Sequence, residues 1–202
     1  VFVGPEGDSW IVVQAGANGA VDRAYVERQY ETILRADCLL LQNEIPVEPV
    51  VALLTELAGE AQRPTVVLDP APADGAERLI GCDAVDYLTP NEREYETLRP
   101  RLEGFDGVLV RTSSGDDVVV EGDQRFSVTP PRVTPVDTTG AGDVMNGFMA
   151  AQLAGGAPLR EAVETAVVAG ALSTQTEGAR EGIPTLEEVR SIRTSGERAR
   201  KP

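Results

Sequence analysis

Short apolar runs alternate along the chain with longer segments in which apolar residues recur every three or four positions. The short runs are bounded by turn-forming residues, which is typical of buried strands. The predicted strands are Cys38–Leu41, Thr65–Leu68, 84–88 and 107–111. The longer segments predict helices over 22–35, 47–61, 91–98, Ala141–Ala154 and Leu159–Ser173, and a last helix that begins after Thr185. Strands and helices in this alternation favour an α/β layered fold with a largely parallel sheet.

Two pairs of short β-rich runs predict hairpins, because turn residues separate the members of each pair. The first pair is 1–3 and 9–13, and the second is Val118–Glu121 and 125–128. From Ser195 onward the chain is polar and is expected to be disordered. We therefore expect a single domain over 1–194 and a tail over 195–202. Because the chain opens in mid-strand, we also expect that residues upstream of it are missing.

The charge balance narrows the possible partners. The 202 residues include 33 acidic and 18 basic side chains, and the net charge is -15. Such a surface repels nucleic acid and anionic membranes. Lys201 is the only lysine, and an evenly acidic, lysine-poor surface is typical of proteins from salt-loving organisms. The two cysteines, Cys38 and Cys82, are expected to be free thiols in a cytoplasmic protein.

The residue content also limits the catalytic chemistry. The chain has no histidine, which argues against the usual zinc sites and against a Ser-His-Asp triad. A general base must therefore be Asp or Glu. The sequence contains neither the glycine-rich loop of P-loop proteins nor a dinucleotide-binding fingerprint.

The segment Asp-Thr-Thr-Gly-Ala-Gly-Asp over 137–143 carries the strongest chemical signal. Its small residues precede an amphipathic helix, so backbone N–H groups can approach a ligand closely. A helix N-terminus favours an anion such as a phosphate group. Asp143 would repel a phosphate as a binding group, but it suits a general base that accepts a proton from an attacking hydroxyl. The alternative is that Asp143 only begins the helix and that the glycines only form a tight turn.

This segment, continued by Val-Met-Asn-Gly over 144–147, resembles the C-terminal signature of the ribokinase-like (PfkB) carbohydrate kinases. Three other segments resemble the family in the same order. They are Leu-Leu-Leu-Gln-Asn-Glu-Ile-Pro over 39–46, Leu-Asp-Pro-Ala-Pro-Ala over 68–73, and Thr-Pro-Asn-Glu-Arg-Glu over 89–94. The resemblance extends to about Pro184. It implies a ribokinase-like three-layer α/β/α fold from which the amino-terminal part and most of the lid are missing.

The resemblance also implies roles for individual residues. Asp143 would be the catalytic base, and the backbone of Gly140, Ala141 and Gly142 would form the anion hole. Asn91 and Glu94 match a motif that helps to place magnesium and the phosphates, although they could equally be a helix cap and a solvated acid. Glu44 matches a sugar-contacting glutamate, and its alternative is an ordinary loop acid.

The nucleotide site would be completed by Thr112, Ser113, Gly115 and Val167. The loop that contains the first three departs from the family pattern, since Arg111 replaces a threonine. Val167 could instead be an ordinary core residue. A potassium ion is also implied, held mostly by backbone oxygens. The matching positions are Asp137, Thr139, Ser173, Thr176, Gly178 and Gly182.

The predicted function is that of an ATP-dependent sugar kinase with Mg²⁺ and K⁺ as cofactors and ribose as the favoured acceptor. The small-molecule partners are thus a sugar and ATP, and the family habit of pairing through the lid implies a homodimer. Related kinases for fructose, ketodeoxygluconate or a nucleoside are alternatives within the family. A homologue that binds a nucleotide or a partner protein without catalysis is an alternative from another class.

Overall fold

The computed structural model describes residues 2–3, 9–10, 13–112 and 117–199. Near the N-terminus, β1 (Phe2–Val3) and β2 (Ser9–Trp10) form an antiparallel pair. The main sheet has six strands in chain order: β3 (Cys38–Leu41), β4 (Thr65–Leu68), β5 (Tyr87–Leu88), β6 (Val108–Thr112), β7 (Val118–Glu121) and β8 (Phe126–Val128). Strands β3 to β6 are parallel, and β7 and β8 are antiparallel to their neighbours. The predicted, largely parallel sheet is therefore present.

The described helices are α1 (Arg23–Leu34), α2 (Val47–Ala58), α3 (Glu77–Ile80), α4 (Glu92–Leu98), α5 (Ala141–Ala154), α6 (Leu159–Ser173) and α7 (Leu186–Ala199). Two 3-10 turns lie at Gly16–Ala20 and Arg99–Arg101. The predicted cap of α1 is confirmed, because the Asp22 carboxylate accepts a hydrogen bond of 2.7 Å from the Tyr25 N–H. Thr185 immediately precedes α7, and its backbone N–H is donated to the Glu188 carboxylate at 2.7 Å.

Helices cover both faces of the sheet. Alternate side chains of the strands, such as Leu39, Val66, Leu88 and Leu109, pack in one apolar cluster with α1 to α4. On the other face, Val110, Val118, Val120 and Phe126 pack with α5 and α6. Helix α7 lies outside these two helices, and Val189 packs against them. This is the predicted three-layer α/β/α arrangement. In the described ranges, no helix has the length and apolar character needed to cross a membrane.

The observed elements differ from the predicted ones at a few places. Helix α2 ends at Ala58 rather than at residue 61 because Gly59 terminates it. Strand β5 begins at Tyr87, not at residue 84, and the N–H of Val66 on the neighbouring β4 is donated to the Asp86 carboxylate at 2.8 Å rather than to a backbone carbonyl. Helix α3 was not predicted, since four residues are too few to show a helical period.

The C-terminal tail was expected to be disordered from Ser195, but α7 extends to Ala199. Glu197, Arg198 and Ala199 are good helix formers, and they carry the helix past Gly196. Residues 200–202 lie outside the described residues.

The packing of α5 determines where its N-terminus lies. Helix α5 rests on β3 and β4 and packs along α6. Gly170 of α6 permits this close approach, because a Cβ there would lie 3.1 Å from the carbonyl oxygen of Ala141 and 3.3 Å from the Cβ of Met145. The first turn of α5 is thereby held near the carboxyl ends of the parallel strands, which is where ligands bind in sheets of this type.

Candidate active site

The first turn of α5 presents backbone donors. Gly140 precedes the helix with φ +79°, a left-handed conformation that glycine adopts readily, and no side chain caps the turn. The Ala141 N–H is donated to the Thr138 carbonyl at 3.2 Å. Among the described residues, the N–H groups of Gly142 and Asp143 have no acceptor. Two such donors at the positive end of a 14-residue helix suit an anion.

Asp143 lies in this turn with its side chain exposed. It borders an open cleft of about 470 Å³. The cleft is lined mainly by α5 and by the loop before α7, including Gly140, Gly147, Phe148, Arg180 and Ile183. The carboxylate is thus available to a substrate next to the donors of the same turn.

Asp137 organises the loop that leads into α5. Its two carboxylate oxygens accept backbone N–H groups of Thr139 and Gly178, each at 2.9 Å. These hydrogen bonds hold the pKa of the Asp137 carboxyl below its usual range, so the side chain stays ionised near neutral pH. The Asp137 N–H is donated to the Thr174 carbonyl at 3.0 Å. The carboxylate therefore joins the loop before α5 to the loop after α6.

The six positions implied for potassium fall into two contacting groups. Asp137, Thr139 and Gly178 are linked by the hydrogen bonds just described. Gly182 lies against the carbonyl oxygen of Ser173, where a Cβ could not be accommodated. Thr176 lies with Gly182 at the edge of a separate cleft near α7. Among the described residues, no three acidic or cysteine side chains cluster in a way that could hold a metal ion by themselves.

Asn91 and Glu94 form a capping box at the start of α4. The Asn91 side chain accepts the Glu94 N–H at 3.0 Å, and the Glu94 carboxylate accepts the backbone N–H of Asn91 at 2.8 Å and its side-chain amide at 2.7 Å. Partial burial raises the pKa of the Glu94 carboxyl, and the two hydrogen bonds from Asn91 oppose that rise. Asn91 therefore caps helix α4, as the alternative interpretation expected. The Glu94 carboxylate still has lone pairs with which it can bind a ligand.

A partly buried pair that the sequence did not reveal joins the end of β4 to α5. Asp69 follows β4, and its carboxylate accepts a hydrogen bond of 2.6 Å from the side-chain amide of Asn146. Burial raises the pKa of the Asp69 carboxyl to about 6, and the nearby charges of Glu94 and Asp143 add to that rise. An amide at a buried position of an otherwise apolar helix face was the one available signal for this pair.

Two other predicted residues lie at strand ends. Glu44 is exposed in the loop after β3 and bonds to no described residue. Its neighbour Asn43 is buried and donates its side-chain amide to the carbonyls of Pro72 at 2.6 Å and Asp74 at 2.8 Å. This anchors the loop that carries Glu44 to the loop after β4.

The nucleotide-site residues are only partly described. Thr112 ends β6 and donates its N–H to the Pro90 carbonyl at 3.2 Å, so it lies next to Asn91. Val167 is 3% exposed and packs in the apolar cluster below α5, as its core alternative expected. Ser113 and Gly115 lie outside the described residues.

We predict that Asp69→Asn stabilises the protein at neutral pH. Between about pH 4 and pH 6 the folded protein binds more protons at Asp69 than the unfolded chain does, since the pKa rises from 3.8 to about 6 on folding. Stability therefore falls as pH rises through this window, and the ionised carboxylate costs roughly 1–3 kcal/mol above it. An asparagine at position 69 carries no charge to desolvate. It can still form a hydrogen bond with the Asn146 side chain, once that amide has rotated.

Urea denaturation of both proteins checks this expectation. At about pH 7.5 the variant should unfold at higher urea, and below about pH 4 the difference should vanish. Equal midpoints at both pH values would show that burial of the Asp69 charge does not limit stability.

We predict that Gly140→Ala and Gly142→Ala have opposite effects on stability. At Gly140 a Cβ would lie 3.0 Å from the carbonyl oxygen of Ala179, and φ is positive, so alanine should cost about 1–2 kcal/mol. At Gly142 a Cβ meets nothing within 4 Å, so alanine should be neutral or stabilise the helix by up to about 1 kcal/mol. Thermal unfolding of the two variants measures the difference, and equal losses would contradict it.

Known proteins resemble this chain over nearly all of its length. The profile of the pfkB family carbohydrate kinases matches residues 1–186. Ribokinase from Lactococcus lactis subsp. lactis is 35% identical over 191 residues, which make up 91% of this chain and 63% of that protein. The chain thus spans less than two thirds of the length of this relative.

Solved structures agree with the sequence comparison. Ribokinase from Thermotoga maritima has a TM-score of 0.81 at 32% identity, over 95% of this chain and 67% of that one. Ribokinase from Cryptococcus neoformans in complex with ADP has a TM-score of 0.79 at 25% identity, over 93% of this chain and 68% of that one. Because the family profile covers nearly the whole chain and the fold agrees with these structures, the chain belongs to the pfkB family of carbohydrate kinases.

Proposed function

We propose that the protein containing this chain transfers the γ-phosphoryl group of ATP to a sugar hydroxyl, with ribose as the acceptor. One observation carries the proposal: an accessible carboxylate, Asp143, shares the first turn of α5 with backbone donors that have no acceptor among the described residues. A helix start of this kind combines an anion site with a base. Phosphoryl transfer to a hydroxyl requires both.

In this mechanism Asp143 accepts the proton of the attacking hydroxyl. Of the predicted anion-hole residues, Ala141 already donates its N–H to the Thr138 carbonyl, whereas those of Gly140 and Gly142 have no acceptor among the described residues. The N–H groups of Gly140 and Gly142, with that of Asp143 and the helix dipole, would stabilise negative charge on the transferring group. The neighbouring open cleft, whose apolar lining includes Phe148 and Ile183, leaves the Asp143 carboxylate accessible to a substrate hydroxyl. General-base assistance of this kind contributes about 10²–10⁴-fold to a rate.

Two cations fit the residues present. Asn91 and Glu94 present oxygen atoms beside the strand ends, which suits Mg²⁺ bound through water. The ionised carboxylate of Asp137 and the surrounding backbone carbonyls suit K⁺, since both are oxygen donors. When bound, the cations would neutralise phosphate charge next to these acids.

The ribose assignment rests on the relatives and on Glu44. The Lactococcus and Thermotoga proteins are ribokinases, and the Cryptococcus ribokinase was solved with ADP. Glu44 is exposed on a loop that Asn43 anchors, so its carboxylate is free to accept hydrogen bonds from sugar hydroxyls. Fructose, ketodeoxygluconate or a nucleoside would use the same base and anion site.

The cellular setting and assembly are also part of the proposal. Cys38 and Cys82 are free thiols, which is usual in a reducing compartment, and we place the protein in the cytoplasm. A homodimer that pairs through the lid is proposed from the family resemblance. The strongly negative charge argues against a nucleic acid or an anionic membrane as partner.

We predict that Asp143→Asn lowers kcat by about 10²–10⁴-fold, because asparagine cannot accept the proton. The complete protein would be assayed for phosphoryl transfer from Mg-ATP to ribose and a panel of other sugars and nucleosides. Asp83→Asn is a matched control, since Asp83 is an exposed acid that precedes β5, at the opposite end of the sheet. Its kcat should equal that of the unmodified protein.

The outcomes separate the candidate functions. Turnover on another sugar or on a nucleoside would keep the mechanism and change the acceptor. Nucleotide binding without turnover on any acceptor would favour the non-catalytic homologue instead.

We predict that salt stabilises the protein. Its net charge of -15 creates self-repulsion, which salt screens as the Debye length falls from about 10 Å at 0.1 M to about 3 Å at 1 M. Thermal unfolding in rising KCl should therefore shift to higher temperature. NaCl at equal concentration separates screening, which both salts provide, from specific binding of K⁺. A protein that became more stable as salt was removed would not be adapted to salt.

A further inference from the structure

We propose that Asp69 and Asn146 are positioning residues that hold Asp143 in place for the proposed phosphoryl transfer. The inference rests on the proposed function for its kinetic part, and on the structure for its geometric part. The link is a hydrogen bond of 2.6 Å from the Asn146 side-chain amide to the Asp69 carboxylate, between residues 77 positions apart in sequence. It ties the helix that bears the base to the end of a central strand.

On the sheet side, Asp69 is fixed by its own backbone and side chain. Its N–H is donated to the Leu41 carbonyl at 2.8 Å, which extends the pairing between β3 and β4. Its second carboxylate oxygen accepts the Ala71 N–H at 3.1 Å. The acceptor that Asn146 meets is therefore part of the sheet framework rather than of a free loop.

On the helix side, Asn146 lies three residues after Asp143, so the two side chains project from the same side of α5. Asn146 is only 2% exposed, whereas Asp143 is exposed at the cleft. A movement of the first turn that displaced Asp143 would therefore also stretch the bond to Asp69. No other side-chain hydrogen bond joins α5 to the sheet within the part of the chain that the structure describes.

The chemistry of the pair suggests a role beyond holding the fold together. Asp69 is partly buried, and the negative charges of two further acids, Glu94 from α4 and Asp143 from α5, act on it. The carbonyl oxygen of Asn146 is also buried and has no hydrogen-bond partner. An apolar contact or a fully satisfied amide pair would hold the helix at lower cost. Costs of this kind accumulate at functional sites, where stability is given up for geometry.

The expected consequence is on kcat rather than on nucleotide binding. A misplacement of about 1 Å between base and hydroxyl can lower a rate about 100-fold. Asn91, Glu94 and Thr112, which are assigned to the nucleotide, are held by contacts with one another and with Pro90 instead.

The test uses the complete protein and a double-mutant cycle of Asp69→Ala and Asn146→Ala. Each single variant should lower kcat about 10- to 100-fold and leave the KM for ATP within about threefold. Because both substitutions remove the same hydrogen bond, the kcat of the double variant should lie within about threefold of that of the slower single variant. Asp69→Asn can still bond to Asn146, so its kcat should exceed that of Asp69→Ala by at least about tenfold.

Thr165→Val is the control for a general loss of packing. Thr165 is 1% exposed on α6, and its hydroxyl accepts a hydrogen bond of 2.7 Å from Arg193 of α7, away from Asp143. This variant removes a buried anchor of the same kind and should keep the full kcat. Should Asp69→Ala fail to fold, Asp69→Ser provides the same comparison with a smaller void.

Several results would overturn the proposal. Losses in kcat that multiply in the double variant would show that the two residues act separately. An Asp69→Asn variant as slow as Asp69→Ala would show that the negative charge itself is required. An unchanged kcat with a raised KM would assign the pair to nucleotide binding.

If the unmodified protein transfers no phosphoryl group, the proposed function fails and the positioning is tested by hydrogen exchange. The amide of Val144, which is donated to the Gly140 carbonyl at 2.9 Å in the first turn of α5, should then exchange faster in Asp69→Ala and Asn146→Ala than in Thr165→Val. Equal exchange in all three variants would overturn the positioning role independently of activity.

Discussion

Gly170 brings the backbone of α6 against the first turn of α5, and the candidate site is built on this contact between two helices. Any side chain at Gly170 would press on the Ala141 carbonyl, one residue after Gly140 and two before Asp143. On the opposite side, Gly140 is closed in by Ala179 of the loop that Asp137 anchors. The first turn is thus confined by backbone on two sides, and glycines are what allow that confinement.

The same edge of the sheet gathers four carboxylates, and the structure treats each of them differently. Backbone N–H groups stabilise the ionised Asp137 side chain and lower the pKa of its carboxyl, whereas burial raises the pKa of the Asp69 carboxyl to about 6. Hydrogen bonds from Asn91 partly offset the rise in the pKa of the Glu94 carboxyl that burial causes, and Asp143 stays exposed. This separation of environments is what allows neighbouring acids to take different roles. In the proposed function, Asp143 is the base and the others hold the framework and the cations.

The sequence predicted the elements that have a strong local signal. Apolar runs located β3 and β4 to the residue, and the Asp22 cap located the start of α1. The Asn91–Glu94 spacing gave a capping box, as its helix-cap alternative expected. The Asp69–Asn146 pair could not be predicted, because it depends on how α5 lies across β4 and no local pattern encodes that placement. Similarly, the Asp86 carboxylate accepts the Val66 N–H next to the start of β5, a side-chain contact that periodicity does not report.

Arg111 shows how a departure from the family pattern can be compensated within the fold. It stands where the family pattern has a threonine, at the strand that leads to the predicted nucleotide loop. Its guanidinium bonds to Glu121 at 3.0 Å and stacks over the Tyr95 ring at 4.8 Å, and Glu121 also pairs with Arg125. Tyr95 belongs to α4, so the arginine joins β6 and β7 to the helix that carries Asn91 and Glu94. The arginine at this position is therefore integrated into the packing of the sheet edge, where its charge is paired and its guanidinium covers an aromatic ring.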